Sequence, residues 1–393
     1  MRLLFLAPFP PRLDGRHGGA RVVAQTVAGL AARHEVALVY LRGPREEPGD
    51  DLGAEMHEVP RRALDRSLAR RARQARALLA GRPVWVDEWA NPEFGARAGE
   101  LAATWRPDVV QIEYHVMGQY TGSLGGHRAA RVLDLPEVGT LAAEDARRRG
   151  GAASPLHALD ARNWRRYERG ILEQVDAATV YAERDRTALE RLGSTARIVR
   201  VPIGVTPPPR ALEDTGAPPP TILFVGSFRH PPNVDAALRL AERIQPLVRA
   251  RCSGAVLTIV GELPPRRLLR LARDDVVVTG PVPDVTPYLE AATVVAAPIR
   301  FGGGIRLKVL EALAAGKAVV ASELAAAEAL GSHLVLAETD GEFAERICLL
   351  LGDADERARL GAAARAWALE HARPERTIAA YEELYSSLLV REG

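Results

Sequence analysis

The chain has 393 residues, 26% of them charged, and a formal net charge of +2 from 52 basic and 50 acidic side chains. This near-balance disfavours a whole-protein nucleic-acid binder, and the length allows about two domains. No apolar run reaches the ~18 residues of a membrane span, and the first residues are typical of a strand, not of a signal peptide. Cys252 and Cys348 have no paired spacing, which excludes a disulfide framework or a cysteine zinc site. We expect a cytoplasmic protein.

Short β-branched runs alternate with longer helical patterns along the whole chain. This alternation predicts βαβ units and parallel sheets. The predicted strands of the first half are Leu3–Ala7, Val36–Leu41, Asp108–Ile112, Arg131–Leu135, Ala178–Tyr181 and Arg197–Val201. Those of the second half are Thr221–Val225, Ala255–Val260, Asp275–Thr279, Thr293–Ala297, Ala318–Ala321 and Leu334–Leu336. The predicted helices include Val22–Ala32, Val234–Arg251 and Leu307–Ala315.

A proline-rich segment divides the chain. Residues 201–220 contain seven prolines, which excludes a central strand or helix there. We predict an α/β protein in which two doubly wound, Rossmann-like domains, residues 1–200 and 221–372, face each other across a cleft. Residues 373–393 form a last helix that could pack back on the first domain. Ligands of such sheets bind beyond the carboxyl ends of the strands, so the loops at that edge should carry the chemistry.

The most informative segment is APIRFGGGIRLKVLEALAAGKAVVAS, residues 297–322. A predicted strand ends at its start, Gly302, Gly303 and Gly304 follow, and a helix begins near Ile305. Glycines allow a backbone to approach a ligand closely, and the helix N-terminus favours an anion. The segment therefore predicts a site for a phosphate-bearing ligand.

Three charged side chains follow in the same helix. Arg306 and Lys308 lie in its predicted first turn, where positive charge is unfavourable unless it meets an anion. Lys308 and Lys317 are the only lysines in a chain that otherwise uses arginine. Glu311, one turn beyond Lys308, could accept hydrogen bonds from a ribose diol or pair with Lys308. This arrangement suits the diphosphate of a sugar nucleotide.

The segment resembles the donor-binding loop of retaining GT-B glycosyltransferases of family 4. Other parts of the chain resemble further motifs of that family. These are the first-domain glycine loop at Gly18–Gly19, the interdomain hinge at Val201–Val205, the opening unit of the second domain at Phe224–Leu238 and the base-binding loop at Val278–Pro298.

The resemblance implies a GT-B fold and transfer of a sugar from an NDP-sugar with retention. It implies that Glu311 holds the donor ribose, that Arg306 and Lys308 neutralise the diphosphate, and that the backbone near Val282 contacts the base. The donor-binding residues carried over in this way are Gly18, Gly19, Gly226, Arg229, Val282, Gly302, Gly303, Gly304, Ile305, Arg306, Lys308 and Glu311.

The chain departs from the family pattern at three places. Gly303 stands where many members have a glutamate. Ser227 and Pro232 stand where many have an arginine and a lysine, for which Arg306, Lys308 and Arg229 could compensate. The usual first-domain histidine is also missing. The stand-in candidates for catalysis are His115, Glu113, Asp134 and Glu137.

No metal site is predicted. Asp353 and Asp355 match the acid-x-acid string of metal-dependent glycosyltransferases, but Asp353 is more simply a helix cap. We expect no cofactor beyond the NDP-sugar co-substrate. The arginine-rich stretch Arg61–Leu79 could form a helix in peripheral contact with anionic lipid at the inner membrane face, or an ordinary surface helix.

The function predicted from the sequence is therefore glycosyl transfer without a metal ion. The acceptor could be a saccharide, a lipid-linked saccharide or a small molecule, in polysaccharide, glycolipid or natural-product biosynthesis. Two alternatives stay open: another GT-B enzyme such as an NDP-sugar epimerase, and a non-catalytic glycosyltransferase partner that binds the nucleotide sugar.

Overall fold

The computed structural model describes residues 1–15, 18–61, 68–126, 128–149, 155–212, 218–304, 306–329 and 331–390. The chain forms two compact units. Unit 1 comprises Met1–Ile203, Gly303–Ile305 and Pro374–Gly393, and unit 2 comprises Gly204–Gly302 and Arg306–Arg373. The end of the chain therefore belongs to the same unit as its beginning.

Unit 1 is built on a parallel sheet. Its strands are β1 (Arg2–Ala7), β2 (Glu35–Arg42), β3 (Glu55–Pro60), β4 (Val109–Glu113), β5 (Ala130–Leu135), β6 (Ala177–Val180) and β7 (Arg197–Arg200). Their order in the sheet is β3-β2-β1-β4-β5-β6-β7. The central strand β1 is apolar and buried after Arg2, as a strand covered by helices on both faces must be. The neighbouring β4 is buried throughout and carries the polar Gln111 and Glu113.

Helices cover both faces of this sheet. They are α1 (Gly18–Ala31), α2 (Leu68–Leu79), α3 (Val84–Glu88), α4 (Pro92–Trp105), α5 (Gly139–Arg149), α6 (Pro155–Leu172) and α7 (Glu183–Glu190), with a 3-10 helix at His115–Leu124 after β4. One core cluster lies under α4, α6 and the 3-10 helix, and a second lies under α1.

Unit 2 has its own parallel sheet. Its strands are β8 (Thr221–Val225), β9 (Val256–Val260), β10 (Val276–Gly280), β11 (Val294–Ala297), β12 (Val319–Ala321) and β13 (Val335–Leu336), in the order β10-β9-β8-β11-β12-β13. Its helices are α8 (Pro231–Arg239), a π-helix (Leu240–Ile244), α9 (Gln245–Arg249), α10 (Arg266–Leu269), α11 (Thr286–Ala291), α12 (Leu307–Ala314), α13 (Glu323–Ala326), a 3-10 turn (Ala327–Ala329), α14 (Asp340–Gly352) and α15 (Ala354–His371).

The last helix, α16 (Pro374–Leu389), packs against α1 in unit 1. A Cβ on Gly29 would lie 2.7 Å from Ile378 Cδ1, so the two helices approach closely where α1 lacks a side chain. Tyr381 and Tyr385 of α16 are fully buried against the sheet. Glu382 pairs with His34, which lies between α1 and β2. Apolar and polar contacts together fix this helix on unit 1.

The predicted parallel sheets are confirmed, with two local corrections. Strand β3 was not predicted, because its sequence EMHEVP is polar and only Val59 is buried at this sheet edge. The continuous helix predicted over Val234–Arg251 is instead α8, a π-helical turn and α9. Pro246, in the first turn of α9, lacks the N–H that would continue a regular helix from the preceding turn.

Candidate functional site

The candidate donor residues of unit 2 gather at one point of the sheet. Strands β8 and β11 are neighbours, and the direction of strand order reverses between them. Ligands of doubly wound sheets bind at the carboxyl ends of the strands at such a switch point. Gly226 directly follows β8, and the loop from Pro298 to Arg306 follows β11. The topology therefore places both predicted donor loops at the same crevice.

The glycine loop has a backbone that other residues rarely adopt. Gly302 has φ +90° and Gly304 has φ +92°, both in the left-handed region. A Cβ on Gly302 would also lie 2.5 Å from Pro232 Cγ. Glycine is needed here for conformation and for space. Ile305, the loop residue predicted to present an amide to the donor, lies outside the described residues.

Arg306 braces this loop. It caps α12 in a non-helical conformation, whereas the sequence placed it inside the first turn. Its Nη2 donates to the carbonyl of Gly302 at 2.7 Å, and its Nε donates to the carbonyl of Leu324 at 3.4 Å. The guanidinium therefore fixes the loop conformation besides bringing positive charge to the crevice.

Lys308 is a half-buried cation in the first turn of α12. Its Nζ donates to Asn233 Oδ1 and lies 5.5 Å from the centre of the Phe224 ring. Burial and the nearby Arg306 charge lower the pKa of Lys308 to about 7, while Glu311 acts in the opposite direction. A bound anion would favour the charged form and raise this pKa.

The other unit 2 candidates differ in their surroundings. Gly226 donates its N–H to the carbonyl of Val260 at 2.9 Å. Arg229 is two-thirds exposed and pairs with Glu262 at 3.3 Å. Glu311 is half-buried on α12, and Val282 is half-buried just after β10.

Gly18 and Gly19 open α1 in unit 1, at the carboxyl end of β1. A Cβ on Gly19 would lie 1.9 Å from the hydroxyl oxygen of Tyr114. The tyrosine hydroxyl therefore occupies the space that a side chain at position 19 would need. Packing alone requires glycine at this position, whatever ligand approaches it.

The first-domain catalytic candidates are all buried, with Glu137 the least so. His115 and Asp134 are 0% and 1% exposed, whereas Glu137 is 9% exposed. His115 Nδ1 bonds the carbonyl of Glu137 at 3.0 Å, and its ring lies edge-on to Trp85 and Trp164. Burial lowers the pKa of His115 to about 3, so the imidazole is neutral near pH 7. Its Nε2 has no partner within the described residues.

Asp134 belongs to an enclosed hydroxyl network. Its carboxylate accepts from Thr179 at 2.6 Å, Tyr381 at 2.9 Å and Tyr181 at 3.0 Å. Burial raises the pKa of Asp134 and, with the negative charge of Asp134, raises that of the neighbouring Glu113 well above its usual value. These contacts join the sheet to α16 through the buried Asp134 carboxylate.

Three important residues were not singled out from the sequence. Asn233 bonds Lys308, Tyr114 packs on Gly19, and Glu168 accepts from the backbone amides of Gly139 and Thr140 at 2.6 and 3.0 Å. Each of these contacts joins positions that are far apart in the chain, so no local sequence pattern predicts it.

The acidic segment at residues 353–355 begins a helix, which agrees with the interpretation of Asp353 as a helix cap. Asp353 is the N-cap of α15, and its side chain accepts from the Glu356 amide at 2.9 Å. Across the described ranges, no group of three or more His, Cys, Asp or Glu side chains could hold a metal ion. Within the same ranges, every helix is too short or too polar to cross a membrane.

Two family models match the chain. Residues 16–207 match the model described as Glycosyltransferase Family 4, and residues 219–353 match Glycosyl transferases group 1. The protein belongs to this glycosyltransferase family. It is a glycosyltransferase of the EC 2.4 class, and the family resemblance stated from the sequence is confirmed.

Solved structures share the fold across the whole chain. A sucrose-phosphate synthase from Thermosynechococcus elongatus has a TM-score of 0.74 at 18% identity and full coverage of both chains. Anabaena HepE, solved with UDP and glucose, has 0.69 at 14% identity, covering 98% of this chain and 99% of its own. WaaG, a glycosyltransferase of lipopolysaccharide biosynthesis, has a TM-score of 0.69 at 16% identity, covering 96% of this chain and 98% of its own. The predicted GT-B fold is thus confirmed. No curated protein sequence matches the chain significantly.

Proposed function

We propose that this glycosyltransferase moves a sugar from an NDP-sugar to an acceptor hydroxyl, with retention and without a metal ion. The observation that carries the proposal is Lys308, held half-buried against Asn233 at the switch point of unit 2. The UDP and glucose of the HepE structure support a nucleotide-sugar donor. Glu311, on the same helix, is proposed to hold the ribose.

The reaction breaks the bond between the anomeric carbon and the diphosphate oxygen, and the electron pair leaves with the NDP. The acceptor oxygen bonds to the anomeric carbon on the same face, and a donor phosphate oxygen takes its proton. Lys308, the loop amides and the N-terminus of α12 stabilise the negative charge that develops on the diphosphate. Because the diphosphate raises the pKa of Lys308, the lysine is charged when it acts.

Glu137 is the first-domain residue that we propose to meet the substrates. His115 and Asp134 are more deeply buried: His115 Nδ1 bonds the carbonyl of Glu137, and the Asp134 carboxylate accepts from the Thr179 hydroxyl. The Glu137 carbonyl is fixed by His115 Nδ1, which holds the turn that carries the carboxylate. A carboxylate on this turn could stabilise positive charge at the sugar ring.

We further propose that α2 makes peripheral contact with anionic lipid at the inner membrane face, where a cytoplasmic enzyme would meet a lipid-linked acceptor. Leu68 and Leu79, at the two ends of this arginine-rich helix, are 81% and 83% exposed. Apolar side chains beside arginines suit a headgroup surface. Residues 62–67 of the predicted Arg61–Leu79 helix lie outside the described residues.

One observation favours a second candidate function, a non-catalytic partner that binds the nucleotide sugar. Gly303 stands where many family members have a glutamate, and His115 and Asp134 are fully buried. An NDP-sugar epimerase would need several acids and bases around the sugar, which Gly303 does not supply.

The test is donor turnover by the purified chain. The protein is incubated with sugars carried on UDP, GDP, ADP or dTDP, with EDTA, and with saccharide, lipid-linked or small-molecule acceptors. We expect acceptor-dependent NDP release from one donor, and a product with the anomeric configuration of the donor. Lys308→Ala should slow turnover roughly a hundredfold. Arg273→Ala, which removes an exposed charge paired with Asp275, should not.

The other outcomes separate the alternatives. Epimerisation of the NDP-sugar without acceptor would identify an epimerase. Donor binding with no turnover under any acceptor would identify the binding partner. Loss of turnover in EDTA, restored by a divalent cation, would contradict metal independence.

A further inference from the structure

Asn233 makes two hydrogen bonds that join the two donor loops of unit 2. It is the third residue of α8 and is 9% exposed. Its Nδ2 donates to the carbonyl of Ser227 at 2.8 Å, and its Oδ1 accepts from Lys308 Nζ. A primary amide donates and accepts at once, so both partners are satisfied by one short side chain. Each partner fixes the orientation of the amide.

The local backbone is shaped to hold this amide. A Cβ on Gly226 would lie 2.9 Å from Asn233 Cγ, so glycine at 226 provides the space. The preceding residue, Pro232, packs directly over Gly302 in the glycine loop. Consecutive residues at the start of α8 therefore contact the loop before α12 and the lysine within it.

A lysine needs such support to act at one point. Its side chain has four rotatable bonds, and fixing them costs conformational entropy. The amide of Asn233 and the Phe224 ring, 5.5 Å from Nζ, hold the ammonium before any ligand arrives. This preorganisation places positive charge where the donor loops converge.

We propose that Asn233 is a positioning residue, which holds the Lys308 ammonium towards the diphosphate of the donor. The ligand role of Lys308 rests on the proposed function. The hold of Asn233 on Lys308 does not, because it can be measured without any nucleotide.

The lysine content of the chain makes this measurement direct. Lys308 and Lys317 are the only lysines, so protein labelled with [13Cε]lysine gives one signal for each. Lys317 is 2% exposed and donates to the carbonyls of Glu290 and Ala292, which makes it an internal reference. The pH titration of the Lys308 signal then reports the surroundings of its ammonium.

We expect the Lys308 signal of the wild type to titrate near pH 7. In Asn233→Ala the freed side chain should reach water, so its signal should sharpen and its titration midpoint should rise towards the usual lysine value. An unchanged or lower midpoint would mean that the ammonium stays in place without the amide, and would overturn the proposal.

Two further variants guard the interpretation. Asn163, a buried asparagine of unit 1 that donates to the carbonyl of Leu78 at 3.0 Å, is the matched control. Asn163→Ala should leave the Lys308 titration unchanged, and a shift there would count against a local cause. If Asn233→Ala does not fold, Gly226→Ala, which pushes on the amide, should move the same signal.

Nucleotide affinity distinguishes positioning of Lys308 from a role in the fold alone, since a purely structural role would not change it. Asn233→Ala should weaken UDP, or whichever of GDP, ADP and dTDP binds, by roughly tenfold or more. In a Lys308→Ala background the same change should have little further effect. Equal effects in both backgrounds would refute a role through Lys308. If the wild type binds no nucleotide, the proposed function fails, and the titration still decides the positioning role.

Discussion

The contact between Gly19 and Tyr114 predicts a specific double-variant result. In Gly19→Ala the new methyl would lie 1.9 Å from the Tyr114 hydroxyl oxygen, 3.0 Å from Tyr114 Cζ and 3.4 Å from Phe9 Cζ. Overpacking of this kind costs about 1–3 kcal/mol. The better helix propensity of alanine offsets at most ~1 kcal/mol of it. Because a 1.9 Å contact is a severe overlap, the cost should lie in the upper part of this range, and we expect Gly19→Ala to lower the free energy of unfolding by about 2 kcal/mol.

Removing the hydroxyl should relieve most of this clash. In Tyr114→Phe the closest ring atom to the new methyl is 3.0 Å away, a tight contact that a small ring shift can relax. Gly19→Ala should therefore cost much less in the Tyr114→Phe background than in the wild type. Urea unfolding of the four proteins measures the coupling between the two sites.

Two results would refute this reasoning: a neutral Gly19→Ala, or an equal cost in both backgrounds. The same four proteins also separate packing from ligand contact. If Gly19 serves packing alone, the double variant should regain nucleotide affinity together with stability. Recovered stability without recovered affinity would instead indicate that the donor approaches Gly19.

Three further predictions concern the fold. Tyr381→Phe, which leaves the buried Asp134 one donor short, should lower unfolding free energy in urea by about 1–3 kcal/mol, and Tyr385→Phe by less. Burial raises the pKa of Glu168 to about 7, above its usual 4.5, so its carboxylate costs stability as pH rises between those values. This loss amounts to about 3 kcal/mol of unfolding free energy across the range, and Glu168→Gln should remove most of it. Urea unfolding measured at several pH values tests this, and a variant whose stability falls with pH as steeply as the wild type contradicts the assignment. Asp353→Ala removes a helix cap and should lower the free energy of unfolding by about 1 kcal/mol. EDTA should leave the stability of the wild type unchanged, and destabilisation by EDTA would instead indicate a bound metal.

The sheets were predictable because their central strands are buried on both faces. Runs such as Leu3–Ala7 and Ile222–Val225 are continuously apolar, and that pattern is local in the sequence. Strand β3 escaped prediction because an edge strand with one buried side chain has no such pattern. The break in the helix predicted over Val234–Arg251 depends on how neighbouring turns pack, which periodicity does not report.

The residues of the candidate site were likewise predictable only where the relevant pattern is local in the sequence. The glycines and charges of residues 302–311 were found because they are adjacent in the chain. The partner of Lys308 was not found, since Asn233 is 75 positions away. His115 and Asp134 were selected by residue type and strand position, but type does not reveal burial. Only the packed structure shows that aromatic rings and hydroxyls enclose them.

The most direct test of the account is nucleotide binding by the wild type and Lys308→Ala, measured as thermal unfolding with UDP, GDP, ADP and dTDP. A ligand at a hundredfold excess over its Kd stabilises the folded state by about 2.7 kcal/mol, a shift of several degrees in Tm. We predict that one nucleotide stabilises the wild type and the control Arg273→Ala, and that Lys308→Ala loses the shift. If no nucleotide at millimolar concentration shifts the wild type, or if Lys308→Ala keeps the full shift, the donor site is not where this account places it.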